Sequence, residues 1–129
     1  MTPDGSKNVL VVDDASLVRA YYRGALEKAG YQVDEAMNGL EGLEKLLMRP
    51  FDVVVVDVNM PQMDGMTFLS TLRSKELPLA GIPVLVTSTE AGEQDIAAAR
   101  RAGANYYVVK PISQESLAKF VDLLAGVVR

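Results

Sequence analysis

The sequence predicts an α/β fold of five parallel strands, each followed by a helix. Three observations carry this. First, the runs Val9–Val12, Val53–Val56 and Val84–Val86 are apolar without alternation, the pattern of strands buried on both faces. Second, stretches with helical apolar spacing separate them. Third, the connections are short, so each strand–helix–strand unit crosses over right-handedly, with helices on both faces of one sheet.

The elements follow in order. Met1–Ser6 is small and polar, which predicts a flexible N-terminus ahead of one domain over residues 7–129. Val9–Val12 is the first strand, ending on Asp13 and Asp14. A helix over Ser16–Ala29 places Val18, Tyr22, Ala25, Leu26 and Ala29 on one face, with Gly30 just past its end. Gln32–Ala36 is a short second strand. Asn38 caps the next helix, with Glu41 three residues on, and Leu40, Leu43 and Leu47 are expected inward. That helix runs to about Met48, before Pro50. The central strand Val53–Val56 runs into Asp57. A loop over Asn59–Gly65 leads to a helix from Gly65 to about Lys75, with Phe68, Leu69 and Leu72 inward.

Leu77–Gly81 reads as a loop around Pro78, and Pro83 opens the fourth strand, which ends on Thr87 and Ser88. The fourth helix, about Gly92–Ala102, offers only Ile96 as a large apolar residue, which predicts a weak grip on the core. Tyr106–Val109 is the fifth strand, ending on Lys110 and Pro111. The last helix, about Gln114–Val128, is expected to bury Leu117, Phe120, Val121, Leu124 and Val128.

Composition narrows the chemistry. The 129 residues include 49% hydrophobic ones, enough for one substantial core, and carry a net charge of −4. An acidic balance argues against non-specific binding to nucleic acid or anionic membranes. Cysteine and histidine are both absent, which excludes disulfides, thiol catalysis, thiolate or imidazole metal sites, Ser-His triads and phosphohistidine on this chain. No apolar run approaches the roughly 20 residues of a membrane span. No basic-then-apolar leader precedes Lys7. A cytoplasmic protein is expected.

Four strands end on polar residues: Asp13 and Asp14, Asp57, Thr87, and Lys110. In a parallel sheet these ends share one edge. In the flavodoxin-like (βα)5 order 2-1-3-4-5, the first and third strands are neighbours, and ligands bind beside that switch point. Three carboxylates then converge. Two of them about 4 Å apart repel by on the order of 4 kcal/mol at an effective dielectric near 20. A cation must offset this, and a few oxygen ligands plus water suit Mg2+.

The ordered set VLVVDD, VVVVDVNMPQMDG, VLVTS and YVVKP resembles the receiver domain of two-component response regulators, the CheY-like family, over nearly the whole chain. The resemblance implies roles by position. Asp57 is the phospho-acceptor. Asp14 ligates Mg2+ (or Mn2+ in its place), Asp13 holds it through a water, and Asp57 and the backbone carbonyl of Asn59 complete the protein ligands. Thr87 and Lys110 contact phosphoryl oxygens. Tyr107 is the aromatic that turns inward on activation, where a plain packing role is the competing reading, and Lys110–Pro111 is often cis. Asn59 and Thr89 flank the path of the hydrolytic water. Ile112 and Tyr106 depart from the common pattern.

The same resemblance implies a stand-alone, monomeric receiver with no fused output domain. It would be phosphorylated from a phosphohistidine on a sensor histidine kinase or histidine phosphotransfer protein. The α4–β5–α5 face would present the result to a flagellar motor switch protein or phosphorelay partner. It would be a signalling protein, not an enzyme with turnover. Two other classes compete. A flavodoxin-like cofactor-binding module needs a phosphate-cradling first loop, which Asp13-Asp14-Ala15 is not. An aspartyl-nucleophile phosphohydrolase needs a second acid where Asp57-Val58-Asn59 has none.

Overall fold

The computed structural model describes residues 6–60 and 63–129. Residues 1–5, most of the expected flexible N-terminus, lie outside them, as do Pro61 and Gln62 of the loop after the central strand. The elements run β1 (Asn8–Val12), α1 (Ser16–Lys28), β2 (Gln32–Ala36), α2 (Gly39–Met48), β3 (Val53–Asp57), α3 (Gly65–Arg73), a 3-10 turn (Leu79–Gly81), β4 (Val84–Ser88), α4 (Glu93–Ala102), β5 (Tyr106–Val109) and α5 (Gln114–Ala125). The sheet is parallel in the order β2-β1-β3-β4-β5.

The valine runs are buried as their pattern demands, with Val9–Val12 and Val53–Val56 at most 1% exposed. Alternation along each strand divides them between two cores. Val9, Val11, Val53, Val55 and Leu85 meet Tyr22 and Leu26 of α1 and Leu117 and Val121 of α5. Leu10, Val12, Val54, Val56, Val84 and Val86 meet Leu43 and Leu46 of α2 and Phe68, Leu69 and Leu72 of α3. α4 buries only Ala99, in line with its expected weak grip.

Capping side chains set three helix starts. Asn38 Oδ1 accepts from Glu41 N at 2.8 Å, and Glu41 Oε1 reaches back to Met37 N at 3.0 Å, one residue beyond the usual capping box. Asp64 Oδ1 accepts from Thr67 N, and Ser113 Oγ from Ser116 N. Gly103 and Gly126 close α4 and α5 in the left-handed conformation.

The structure corrects three burial expectations and two helix ends. Leu40 and Leu47 are 48% and 65% exposed. The inward stripe of α2 is instead Gly39, Gly42, Leu43 and Leu46, so of the three leucines expected inward only Leu43 is buried. A Cβ on Gly42 would stand 3.1 Å from both Phe68 and Val12, so the glycine lets the helix sit close to the sheet. Val128 is 95% exposed, because Gly126 ends α5 before it, and Val127 packs on the core instead. α3 stops at Arg73, not Lys75: Ser74 N and Lys75 N bond three residues back, to Thr71 O and Leu72 O, which tightens the last turn, and the Arg73 guanidinium binds backbone carbonyls beyond the helix. It donates to the backbone carbonyls of Ala80, Ile82 and Gly103 and to Asn105 Oδ1, at 2.7–3.0 Å. This clamp joins α3, the 3-10 turn, α4 and β5 at the edge of the sheet opposite the polar strand ends.

Candidate functional site

Alternation also aims the reactive side chains. Asp13 continues the Val9, Val11 series; Asp57 continues Val53, Val55; Thr87 continues Leu85; Lys110 continues Val108. All four therefore lie on the sheet face covered by α1 and α5. Register brings them together, with Val12 opposite Val56 and Asp57 opposite Thr87.

Asp57 is the last residue of β3 and is 6% exposed. Val58 N donates to the Thr87 carbonyl at 3.0 Å, extending the β3–β4 ladder past the acid and fixing its direction. Gly65 N then returns to the Val58 carbonyl at 2.9 Å, folding the loop back over the strand end. Asp13 is 1% exposed, and its Oδ1 accepts from Ala15 N at 2.9 Å. This hydrogen bond ties it to the residue before α1, while its carboxylate also belongs to the acidic cluster. Asp14 is exposed at the rim.

Carboxylate oxygens of Asp13, Asp14 and Asp57 lie within 4.8 Å of one another. Lys110 Nζ stands 3.0 Å from Asp57 Oδ1 and 3.5 Å from Asp13 Oδ2. The peptide bond from Lys110 to Pro111 is cis. Burial holds the Asp57 carboxyl above its ordinary pKa. Lys110 opposes that shift, while Asp13 and Asp14 add to it. Burial alone would lower the Lys110 pKa, but hydrogen bonding to Asp57 and the charge of Asp13 raise it. One lysine thus answers three acids, and the residual repulsion favours a further cation. An all-oxygen donor set, small and partly open to water through Asp14, fits Mg2+.

Thr87 is fully buried, and its Oγ1 makes no hydrogen bond among the described residues. A buried orphaned hydroxyl beside a carboxylate is an unfilled place for an oxygen-rich ligand. Tyr107 lies on the opposite sheet face, opposite Val86, half-buried against the α2–α3 core. Its hydroxyl donates to the Glu90 carbonyl at 2.7 Å. Asn59 and Thr89 are exposed in the loops after β3 and β4.

Two residues at the site escaped the sequence reading. Gly65 packs its Cα against β3, where a Cβ would overlap the Asp57 carbonyl and stand 2.8 Å from Val58 Cα. The signal was the Asp64-Gly65 pair closing the loop, read only as a helix start. Tyr22 was read as core and is core, at 3% exposure, yet it lines the same groove as Lys110. Nothing in apolar periodicity separates a tyrosine that only packs from one that also lines a groove.

Fold and rim together define a flavodoxin-like domain built around an acidic pocket with one tethered lysine. The chain belongs to the response regulator receiver domain family, whose model matches residues 9–122. It is 35% identical over 120 residues to the chemotaxis protein CheY1 of Helicobacter pylori, covering 92% of this chain and 96% of that one. It is 38% identical over 115 residues to CheY-3 of Vibrio cholerae, with 88% of each covered. The solved structure of Vibrio cholerae CheY4 superposes with a TM-score of 0.87 at 33% identity, covering 93% of this chain and 99% of that one.

Proposed function

We propose that this receiver accepts a phosphoryl group on Asp57 from a phosphohistidine on a kinase or phosphotransfer protein. The observation that carries the reading is the Asp57 carboxylate held at a strand end with Lys110 Nζ at 3.0 Å and two further acids in reach of a shared ion. The reaction is a displacement at phosphorus. A carboxylate oxygen of Asp57 forms the new P–O bond, the P–N bond of the donor breaks, and the imidazole leaves. An ionised carboxylate has no proton to remove, so no general base is required. Lys110 stabilises charge on the equatorial oxygens, and Thr87 donates to one of them. Asp13, through a water, Asp14, Asp57 and the Asn59 carbonyl would hold Mg2+. When bound, the ion neutralises the anions that would otherwise repel the incoming group.

The output would pass through the loop after β4. Thr87 is the last but one residue of β4 before it, and Tyr107 is fastened to it at Glu90. A movement of Thr87 toward the phosphoryl group shifts that loop and releases or re-seats Tyr107, with the lightly anchored α4 following. The α4–β5–α5 face then changes for a protein partner. The chemotaxis relatives favour a motor switch protein, with a phosphorelay partner as the second reading. The chain would act as a cytoplasmic monomer without nucleic-acid or membrane contact, and as a phosphorylated switch with only slow self-hydrolysis.

The test is intact-mass analysis after acetyl phosphate and Mg2+. The parent is expected to gain one phosphoryl mass and Asp57→Ala none. Labelling that persists in the variant places the acceptor elsewhere.

A further inference from the structure

The three acids at the rim are not held alike. Asp13 has both carboxylate oxygens engaged, Oδ1 by Ala15 N at 2.9 Å and Oδ2 by Lys110 Nζ at 3.5 Å. Asp57 Oδ1 has Lys110 Nζ at 3.0 Å. The Asp14 side chain is exposed and receives no hydrogen bond among the described residues. Its aim is set by its backbone alone, which begins at the Asp13–Asp14 peptide.

The oxygen of that peptide is the Asp13 carbonyl. It lies between the end of β1 and the start of α1, in a residue only 1% exposed, so neither ladder, helix nor bulk water serves it. Arg19, one turn into α1, donates to it from Nη1 at 2.7 Å, and among the described residues no other donor reaches it. Glu35 Oε1 holds the Nε of the same guanidinium at 2.9 Å. On the other side, Asp13 N donates to the Ala36 carbonyl at 3.0 Å. The last two residues of β2 thus grip the Asp13 backbone from both sides, Ala36 directly and Glu35 through Arg19. A planar fork with separate donors spans a carbonyl and a carboxylate together, which an ammonium does not. Glu35 also keeps this positive charge off the carboxylates of Asp13 and Asp14, where it would compete with a metal ion.

We propose that Arg19 is a positioning residue of the ion pocket: by holding the Asp13 carbonyl, itself held by Glu35, it fixes the Asp13–Asp14 peptide and aims Asp14 at the shared ion. Without the guanidinium, the buried carbonyl turns toward another donor. The peptide turns with it and carries the Asp14 carboxylate away from Asp57. This inference rests on the reading of the three acids as an Mg2+ site. Its sign separates it from plain electrostatics. Removing a cation near a pocket of acids strengthens Mg2+ binding, whereas removing a support weakens it.

The test compares the parent with Arg19→Met and Arg23→Met, all as the full chain. Arg23 is the control, because its hydrogen bonds go to Glu35 at 2.6 Å and Glu27 at 3.0 Å, and none to Asp13 among the described residues. Mg2+ is titrated by calorimetry, melting temperature is recorded without the ion, and acetyl phosphate labelling is followed by mass. Both variants lose an ion pair to Glu35 and are expected to melt lower than the parent. Only Arg19→Met is expected to bind Mg2+ more weakly, by roughly 10-fold, the effect of losing an outer partner of a metal ligand. Its labelling should slow at subsaturating Mg2+ and recover most of the parental rate at saturation. Arg19→Gln, which keeps a polar stem in the helix, carries the same comparison should the methionine variant unfold. An Mg2+ affinity at or above the parent's without Arg19, or an equal loss in Arg23→Met, overturns the role. A parent that binds no Mg2+ defeats the ion site itself, and the role of Arg19 with it.

Discussion

At Gly65 the first atom of a side chain has nowhere to go. The overlap is with the backbone of Asp57 and Val58, which cannot swing aside as a side chain can. Gly65→Ala must therefore push α3 off the end of β3 or tilt the acid it supports. We expect a lower melting temperature and acetyl phosphate labelling slowed more than about tenfold, since displacement of a reacting group by about 1 Å can cost 10²-fold. Gly24→Ala is the control, because its Cβ would meet only the Gln114 amide at 3.6 Å. Labelling at the parental rate in Gly65→Ala would show that the loop tolerates the intrusion. The acids, Thr87 and Lys110 were legible in the sequence because each interrupts an apolar run at its end, where a charge can emerge. Gly65 and Tyr22 were not. One acts by lacking atoms, and the other is hidden among apolar neighbours that share its spacing.

At the scale of elements, the edge strand β2 shows how a strand is held without a neighbour on one side. Glu35 receives Arg19 Nε at 2.9 Å and Arg23 Nε at 2.6 Å from α1. Asp34 receives Lys45 Nζ at 3.1 Å and Arg49 Nη2 at 2.6 Å from α2. The two acids, successive in the strand, point to opposite faces and fasten both helices. They also place charge on an edge that would otherwise invite another strand. Hydrogen bonding to Arg23 is the largest cause of the lowered Glu35 pKa. A depressed carboxylate pKa contributes stability above the unfolded value, which is lost as pH falls through the folded one. Glu35→Gln should thus lower stability at pH 7 by about 1 kcal/mol, a modest figure for partly exposed pairs. The difference should shrink below about pH 4.3, the ordinary glutamate value, and vanish once both states are protonated. Thermal melts of both proteins from pH 7 to pH 3 check it, and a gap that widens on acidification would contradict the pairing. The strands were legible because their valines are continuous. The α2 stripe was misjudged because Gly39 and Gly42 bury backbone, which an apolar count ignores.

For the molecule as a whole, the sheet separates a held end from a reactive one. The Arg73 clamp closes one edge with every contact satisfied by carbonyls. The other edge gathers three acids around one lysine and leaves the Thr87 hydroxyl without a partner among the described residues. The unbalanced end is where a ligand can add stability. Mg2+ should raise the melting temperature by several degrees at about 100 times its Kd, where binding contributes about 2.7 kcal/mol. Asp14→Ala should remove most of that gain while leaving the apo protein as stable as the parent or more so, because one repelling charge is gone. A parent whose melt ignores Mg2+ would refute the ion site. The parallel sheet was legible from the βα alternation, and the convergence of Asp13, Asp57, Thr87 and Lys110 followed once the flavodoxin-like order was taken for it. The face on which Tyr107 lies was not, because its partner Val86 is named only by register.

The four valines of β3 are interchangeable, so the run keeps no record of its own alignment; slide it by one and Leu10 and Leu85 beside it still meet a valine. Alignment is written at its ends, by Phe51 in the core and Asp52 accepting from Asn8 N below, and by Asp57 opposite Thr87 above. A stretch buried almost completely is thus uninformative about its own alignment, and the punctuation around it decides which way the acid faces.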